Sequence, residues 1–339
     1  MAQSHSKSEI LMNDSISQFL YDNHCDLDSV NFLAGDASVR TYYRVYKNAE
    51  PRVLMVSSEE ETKNKSFVEI AGLLNNHGFH APEVLAADDA QGLYLLEDLG
   101  DLTFNRALQD DVPEHILYEL GVLGLIEMHK SFRHNERNIP PYDINRFCDE
   151  AMLFLEWYVP QVLNDPLTDS QKAEFYNLWR KLYETQPQIP QTLALKDYMV
   201  DNLIWIPQEE GIRRLGILDF QDALWGPTTY DLVSLLEEVR RDVDPQIVAD
   251  MLKFYLKSSP HLNADDFYHS YYLWGAQRNT RILGVFARLA IRDGKKRYLD
   301  FIPRTWKLLE VDLKHPALSE LQDWMDENIP HMNRVRPEC

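Results

Sequence analysis

Three residues have the types and the spacing to handle phosphate. They are Asp197, Asn202 five positions later, and Asp219 at the end of an apolar run, all within LALKDYMVDNLIWIPQEEGIRRLGILDFQDALWGPTTYDLVSLL, residues 193–236. Phosphoryl transfer to a hydroxyl asks for little covalent help from a protein. It asks for a carboxylate beside the nucleophile's proton, oxygen ligands for a divalent cation, and rigid elements that hold both. Two acids and an amide on one short segment supply that set. Taken singly, each is also an ordinary turn former or helix cap, so the case rests on the three converging.

The elements that must bring them together are legible from periodicity. Residues 203–206 and 213–218 read as a hairpin around 207–211, and its second strand ends in Asp219. Upstream, short Val-, Tyr- and Leu-rich strands are expected at 41–46, 52–57, 83–87 and 93–97. A helix is expected over 65–77 from Phe67, Ile70, Leu73 and Leu74, with Gly78 as its C-cap. After Gly100 the pattern turns to long amphipathic helices over 114–130, 146–158, 170–185, 245–257 and 264–293, the last with a break near 282–284. The fold class is therefore α+β, a β-rich lobe over 1–98 followed by a mainly helical lobe over 99–339.

Composition narrows the partners. With 339 residues, 45% of them hydrophobic and 11% aromatic, the chain is a packed globule. A net charge of −20 repels a phosphate backbone, which speaks against nucleic acid. The three cysteines, Cys25, Cys148 and Cys339, have no metal-ligand spacing and read as free thiols of a reducing compartment. No run approaches the ~18 apolar residues of a membrane span, and the first residues lack the apolar stretch of a signal peptide. The expectation is a cytoplasmic protein without a membrane partner. Nothing in the sequence indicates an oligomeric state.

The Asp-x4-Asn spacing matches the catalytic loop of kinases, and Leu218-Asp219-Phe220 stands where their metal-binding Asp-Phe-Gly stands. Further blocks extend the likeness: Gly35-Asp36-Ala37-Ser38-Val39-Arg40 with Tyr43-Arg44, Leu96-Glu97-Asp98-Leu99-Gly100-Asp101, Asp219-Phe220-Gln221-Asp222-Ala223, and Gln277-Arg278-Asn279. Together they span about residues 30–310, and the chain resembles the aminoglycoside phosphotransferase superfamily, with its protein-kinase-like fold. Within it, the likeness is greatest to the bacterial N-acetylmuramate/N-acetylglucosamine anomeric kinases of cell-wall recycling.

That resemblance implies ATP and Mg²⁺ as cofactors and an amino sugar phosphorylated at its anomeric hydroxyl. It implies Asp197 as the base, Asn202 and Asp219 as metal ligands, and Gly35, Asp36, Ser38, Arg40, Arg44, Glu97 and Leu99 around the nucleotide. Asp231, at a helix start, would brace the catalytic loop. Two positions depart from the pattern. Leu195 replaces the usual loop histidine, and Met55 stands where most kinases of this fold carry the phosphate-pairing lysine, which leaves Arg40 or Arg44 to supply positive charge.

Some readings stay open at this level. Gln277, Arg278 and Arg281 would suit a sugar carboxylate or simply form a solvated helix face. Trp157, Tyr158 and Trp274 would stack on a pyranose or pack in a core. The acceptor alternatives are another small hydroxyl compound of choline or aminoglycoside type. A catalytically impaired ATP-binding regulatory module is the reading from a different class.

Overall fold

The computed structural model describes residues 14–35, 40–57, 61–132, 134, 135, 137 and 139–338. Asp36 and Ser38 lie outside them. The described residues form two compact units, one running up to Gly121 with Val200–Ala223 added, the other comprising Val122–Met199 and the chain from Leu224 onward. Compactness thus groups the 203–217 hairpin with the first sheet, whereas a division at 98/99 follows chain order.

In the first unit, helix α1 (Asp14–Asp22) is followed by strands β1 (Asp26–Ala34), β2 (Arg40–Lys47) and β3 (Glu50–Ser57), helix α2 (Glu61–Asn76), and strands β4 (Val84–Asp88) and β5 (Leu93–Glu97). The five strands make one antiparallel sheet in the order β1-β2-β3-β5-β4. Alternation places Val45, Leu54 and Leu95 on a face that packs with Ile16, Phe19 and Leu20 of α1. Each such buried aliphatic side chain stabilises the sheet by about 1.5–3 kcal/mol. Val53 and Met55 occupy the opposite face by the same period of two, and Met55 is fully buried.

Strand β1 carries little sequence signal. In β1 only Val30 is buried, so this edge strand shows no apolar alternation. Helix α2 ends as expected, because Gly78 takes a φ of +84° while Phe79 N–H returns to the carbonyl of Leu74 at 3.1 Å. Helices α3 (Phe104–Gln109) and α4 (Glu114–Ser131) follow, the latter running from one unit into the other. The hairpin strands β7 (Leu203–Trp205) and β8 (Leu215–Ile217) complete the first unit.

The second unit is mainly helical: α5 (Ile144–Leu153), α6 (Asp169–Thr185), α7 (Tyr230–Leu236), α8 (Pro245–Ser258), α9 (Ala264–Ile291), α10 (Ile302–Asp312) and α11 (Ser319–Asn328), with the short ribbon β6 (Gln191–Ala194) and β9 (Leu224–Pro227). Its core is rich in aromatic rings, among them Phe147, Phe154, Trp179, Trp274 and Trp306. Tyr158 and Trp274 belong to this core, which settles them as packing residues.

Two expectations are corrected here. The helix over 146–158 gives way after Leu153 to a π-helical turn, Phe154–Tyr158, and the break expected near 282–284 does not occur, since α9 runs unbroken for 28 residues. One close contact accounts for the glycine. A Cβ on Gly284 would lie 2.3 Å from the carbonyl carbon and oxygen of Leu153 and 2.6 Å from the nitrogen of Phe154. Gly284 is there so that α9 can touch backbone, and its helix-breaking tendency is overridden by packing. Among the described residues no helix is long and apolar enough to cross a membrane.

Candidate active site

The hairpin of the first unit delivers Asn202 and Asp219 to one end. Leu203 pairs with Ile217, the next backbone bond runs from Leu218 N–H to the carbonyl of Asn202 at 2.9 Å, and the two side chains follow at the open ends. Asn202 Nδ2 donates to Asp219 Oδ2 at 3.3 Å. Asp219 has a φ of +58°, a conformation that L residues adopt at a cost and that recurs at functional sites.

Its neighbours hold that turn in place. Phe220 stacks on Phe67 of α2 with ring centroids 5.1 Å apart, Gln221 Nε2 donates to Asp219 Oδ1 at 2.7 Å, and Ser66 Oγ donates to the carbonyl of Gln221 at 2.9 Å. Gln221 and Ser66 are functional neighbours that sequence reasoning missed. Gln221 stands inside a block already noted, so its place two positions after Asp219 was the available signal.

Asn202 and Asp219 line a cavity of ≈ 640 Å³ in the first unit. Gly35, Arg40, Glu97 and Leu99 line it as well, and Val53, Leu96 and Leu218 give it apolar walls. That is the form of a small-molecule site: apolar surface with a few converging polar groups. Arg40 is 2% exposed; its guanidinium lies 5.7 Å from the Phe67 ring centroid, and Nη2 donates to the carbonyl of Lys63 at 3.4 Å.

Arg44 is differently engaged. Its Nε meets Asp98 Oδ2 at 2.5 Å, and Nη1 and Nη2 each meet an Asp101 oxygen at 2.8 Å. Hydrogen bonds to Asp101 first, and then to Asp98, raise the Arg44 pKa further, and Arg44 in turn lowers that of Asp101. Glu97 is paired with His80 at 3.2 Å and accepts from Glu83 N–H at 3.3 Å. The His80 contact leads in lowering Glu97, and Glu97 leads in raising His80.

The second unit holds Asp197, which is half-buried. The loop before it is tied to α7: Asp231 accepts from Leu195 N–H at 2.6 Å and from Lys196 N–H at 2.9 Å, and Ser234 Oγ donates to the carbonyl of Lys196 at 3.0 Å. Burial pushes the Asp231 carboxyl up to about 7, against the pull of those two N–H bonds. Lys196 Nζ pairs with Glu150 Oε1 at 2.9 Å.

The three α9 residues separate. Gln277 is fully buried and donates to the carbonyl of Phe147 at 3.0 Å, while Arg278, 1% exposed, donates to Ser234 Oγ at 3.2 Å. A solvated helix face is therefore not what they form. Arg281 keeps some exposure, donates to Tyr230 OH at 3.3 Å and lies 3.6 Å from Glu150 Oε2. Glu150 was missed in the sequence. It sits 46 positions from Lys196, a separation that leaves no local pattern.

Among the described residues no cluster of three or more His, Cys, Asp or Glu is placed to hold a metal by itself. The Asn202 and Asp219 oxygens fit a hard cation that takes most of its ligands from phosphate and water, which is how Mg²⁺ is usually bound. An amide and a carboxylate paired at an apolar cavity can take a hard cation together with the phosphate it carries.

The comparisons with known proteins agree. The model of the phosphotransferase enzyme family matches residues 29–268, and the chain belongs to that family. It is similar to an N-acetylmuramate/N-acetylglucosamine kinase of Caulobacter vibrioides, 35% identical, with 88% of this chain and 91% of the relative covered. Among solved structures, choline kinase LicA from Streptococcus pneumoniae shares the fold with a TM-score of 0.61 at 15% identity, covering 93% of this chain and all of that one. The ADP-bound aminoglycoside phosphotransferase APH(2'')-Ib does so with a TM-score of 0.57 at 14% identity, covering 88% and 97%. The resemblance read from the sequence blocks and the α+β, kinase-like fold class are both borne out.

Proposed function

We propose that this phosphotransferase uses ATP with Mg²⁺ to phosphorylate an amino sugar such as N-acetylmuramate or N-acetylglucosamine at its anomeric hydroxyl. The observation that carries the phosphoryl-transfer reading is the Asn202–Asp219 pair, 3.3 Å apart at an apolar cavity. The acceptor class rests on the Caulobacter relative and its printed activity. Nucleotide use is supported by the ADP-bound neighbour, which shares the fold.

In this reading the apolar walls at Val53, Leu96 and Leu99 hold the purine, and Arg40 faces the phosphates where Met55 has no charge to offer. Gly35 lines the same cavity, and the nucleotide-binding roles of Asp36 and Ser38 that the sequence implies are part of the proposal. Glu97 shapes the strand end beside the purine through His80, and Arg44 acts on the nucleotide indirectly, by fixing Asp98 and Asp101. Asn202 and Asp219 would hold Mg²⁺, which when bound neutralises charge on the phosphoryl oxygens.

Asp197 accepts the proton of the acceptor hydroxyl while that oxygen bonds to the γ-phosphorus of ATP and the bond from this phosphorus to the β,γ-bridging oxygen breaks, releasing ADP. Asp231 keeps the Asp197 loop in register through Leu195 and Lys196. Of the three α9 residues, Arg281 is the one left to meet the acceptor, and Gln277 and Arg278 support it from the interior. The lobe division at 98/99 and a cytoplasmic location, which suits ATP use and the free, buried thiols of Cys25 and Cys148, belong to the same proposal.

Incubation with ATP, Mg²⁺ and a panel of amino sugars tests it. The expected product is ADP and a sugar whose phosphorus couples to the anomeric proton in NMR. Absence of turnover above background with every sugar overturns the reading, and a phosphate on another carbon overturns its regiochemistry.

A further inference from the structure

We infer that Lys196 is a positioning residue for Asp197, acting through its buried ion pair with Glu150. The inference rests on the reading of Asp197 as the base.

The backbone points to it first. Lys196 has a φ of +72°, a region that glycine occupies without strain and that residues with a Cβ occupy at a cost. It immediately precedes Asp197. Glycine would adopt this conformation without strain, so what the lysine adds at this position is its side chain.

The side chain shows what that is. Nζ lies 2.9 Å from Glu150 Oε1 and 5.4 Å from the centroid of the Tyr142 ring, and the lysine side chain is only 10% exposed. Glu150 is itself immobilised on α5, since its other oxygen takes the Tyr142 hydroxyl and faces Arg281 Nε at 3.6 Å. Burial works to raise the Glu150 carboxyl, but Arg281 and Lys196 hold it below its ordinary value, so it stays an anion for the ammonium to meet.

Lys196 is thus gripped at three places: its N–H by Asp231, its carbonyl by Ser234, and its ammonium by Glu150. The peptide plane between Lys196 and Asp197 is the plane from which the Asp197 side chain departs. Fixing that plane fixes where the Asp197 Cα sits and narrows the directions open to its carboxylate, which the φ and χ1 of Asp197 then set. Leu195 contributes no polar side chain to the loop, so the organising contacts come from Lys196 instead.

Lys196→Gly separates the two uses of the residue. It keeps the backbone conformation and removes the ion pair. With ATP and N-acetylglucosamine or N-acetylmuramate as substrates, kcat is expected to fall about 100-fold, the order of loss that misplacing a reacting group by about 1 Å produces, while KM for ATP stays at the wild-type value. Lys196→Arg, which can still reach Glu150, is expected to recover part of that loss. Glu150→Gln is expected to lower kcat as well, with any rise in acceptor KM reporting its separate contact with Arg281, and the Lys196→Gly/Glu150→Gln double variant to lose less kcat than the product of the single losses, since both changes remove the Lys196–Glu150 pair. Melting temperatures measured on each variant check that the protein remains folded; if Lys196→Gly does not fold, Lys196→Arg and Glu150→Gln carry the test.

A Lys196→Gly enzyme with wild-type kcat overturns the proposal, as do fully multiplicative losses in the double variant. If Asp197→Ala abolishes turnover while Lys196→Gly does not, only the positioning role fails. If Asp197→Ala retains turnover, or the wild type turns over no amino sugar, the reading beneath it fails and the proposal falls with it.

Discussion

Asn202 and Asp219 meet across 3.3 Å although 17 positions separate them in the chain, because the two strands between them pair in register and leave both side chains at the same end. That pair is where the proposed chemistry is most exposed to test. Asp219→Asn keeps the shape and removes one negative charge. A metal ligand contributes several kcal/mol at a phosphoryl site, so kcat is expected to fall at least about 100-fold. Chelation with EDTA should abolish wild-type turnover and added Mg²⁺ restore it; turnover indifferent to EDTA would remove the metal from the reading.

Arg40 and Arg44 should respond differently to loss of charge. Arg40→Met removes a cation from the cavity, and charge-assisted hydrogen bonds to phosphate are worth about 1.5–3 kcal/mol, so KM for ATP is expected to rise about 10- to 100-fold. Arg44→Met instead takes the cation from Asp98, whose side chain is 3% exposed and would keep the Gly100 N–H bond, and is expected to cost about 1–3 kcal/mol in denaturant unfolding. Similar effects of the two substitutions on KM would show that Arg44 reaches the nucleotide directly.

The Asp231 carboxyl, raised from 3.8 to about 7 by burial, makes stability depend on pH. A group whose folded pKa is raised contributes stability that is fully present below its ordinary value and is lost as pH rises through the folded one. Wild-type stability should therefore decline across roughly pH 4 to 7 by up to about 1.4 kcal/mol per pH unit from this group. Burial also raises the carboxyls of the neighbouring pair Glu237 and Asp312, which adds slope of the same sign, so the informative quantity is the difference between wild type and Asp231→Asn. Urea unfolding across that range should show a shallower slope in the variant; equal slopes would mean Asp231 is ionised throughout.

Gly284→Ala tests the close approach of α9 to Leu153. Alanine is the better helix former, yet its Cβ would fall 2.3 Å from the Leu153 carbonyl. Overpacking of this kind costs about 1–3 kcal/mol, seen as a lower melting temperature. A variant as stable as wild type would mean the two backbones part without cost.

The sequence by itself determined what is encoded locally. Short Val-, Tyr- and Leu-rich runs between turn residues marked β2 to β5, a turn between two apolar runs marked the hairpin, the helical period marked the long helices of the second unit, and short spacing singled out Asp197, Asn202 and Asp219. It failed at β1, where a single buried side chain leaves no alternation to read. It also failed at Gly284, whose local propensity suggests a break while its environment requires a missing Cβ.

Tertiary structure alone decided the rest. Lys196 finds Glu150 across 46 positions and Arg44 finds Asp98 across 54, and folding buries Gln277 and Arg278 on a helix whose sequence left them open to solvent or substrate. Periodicity reports which face of an element is apolar. What lies opposite a polar group, and so whether its charge is used for support or for catalysis, is set by segments distant in the chain, and no local pattern carries that information.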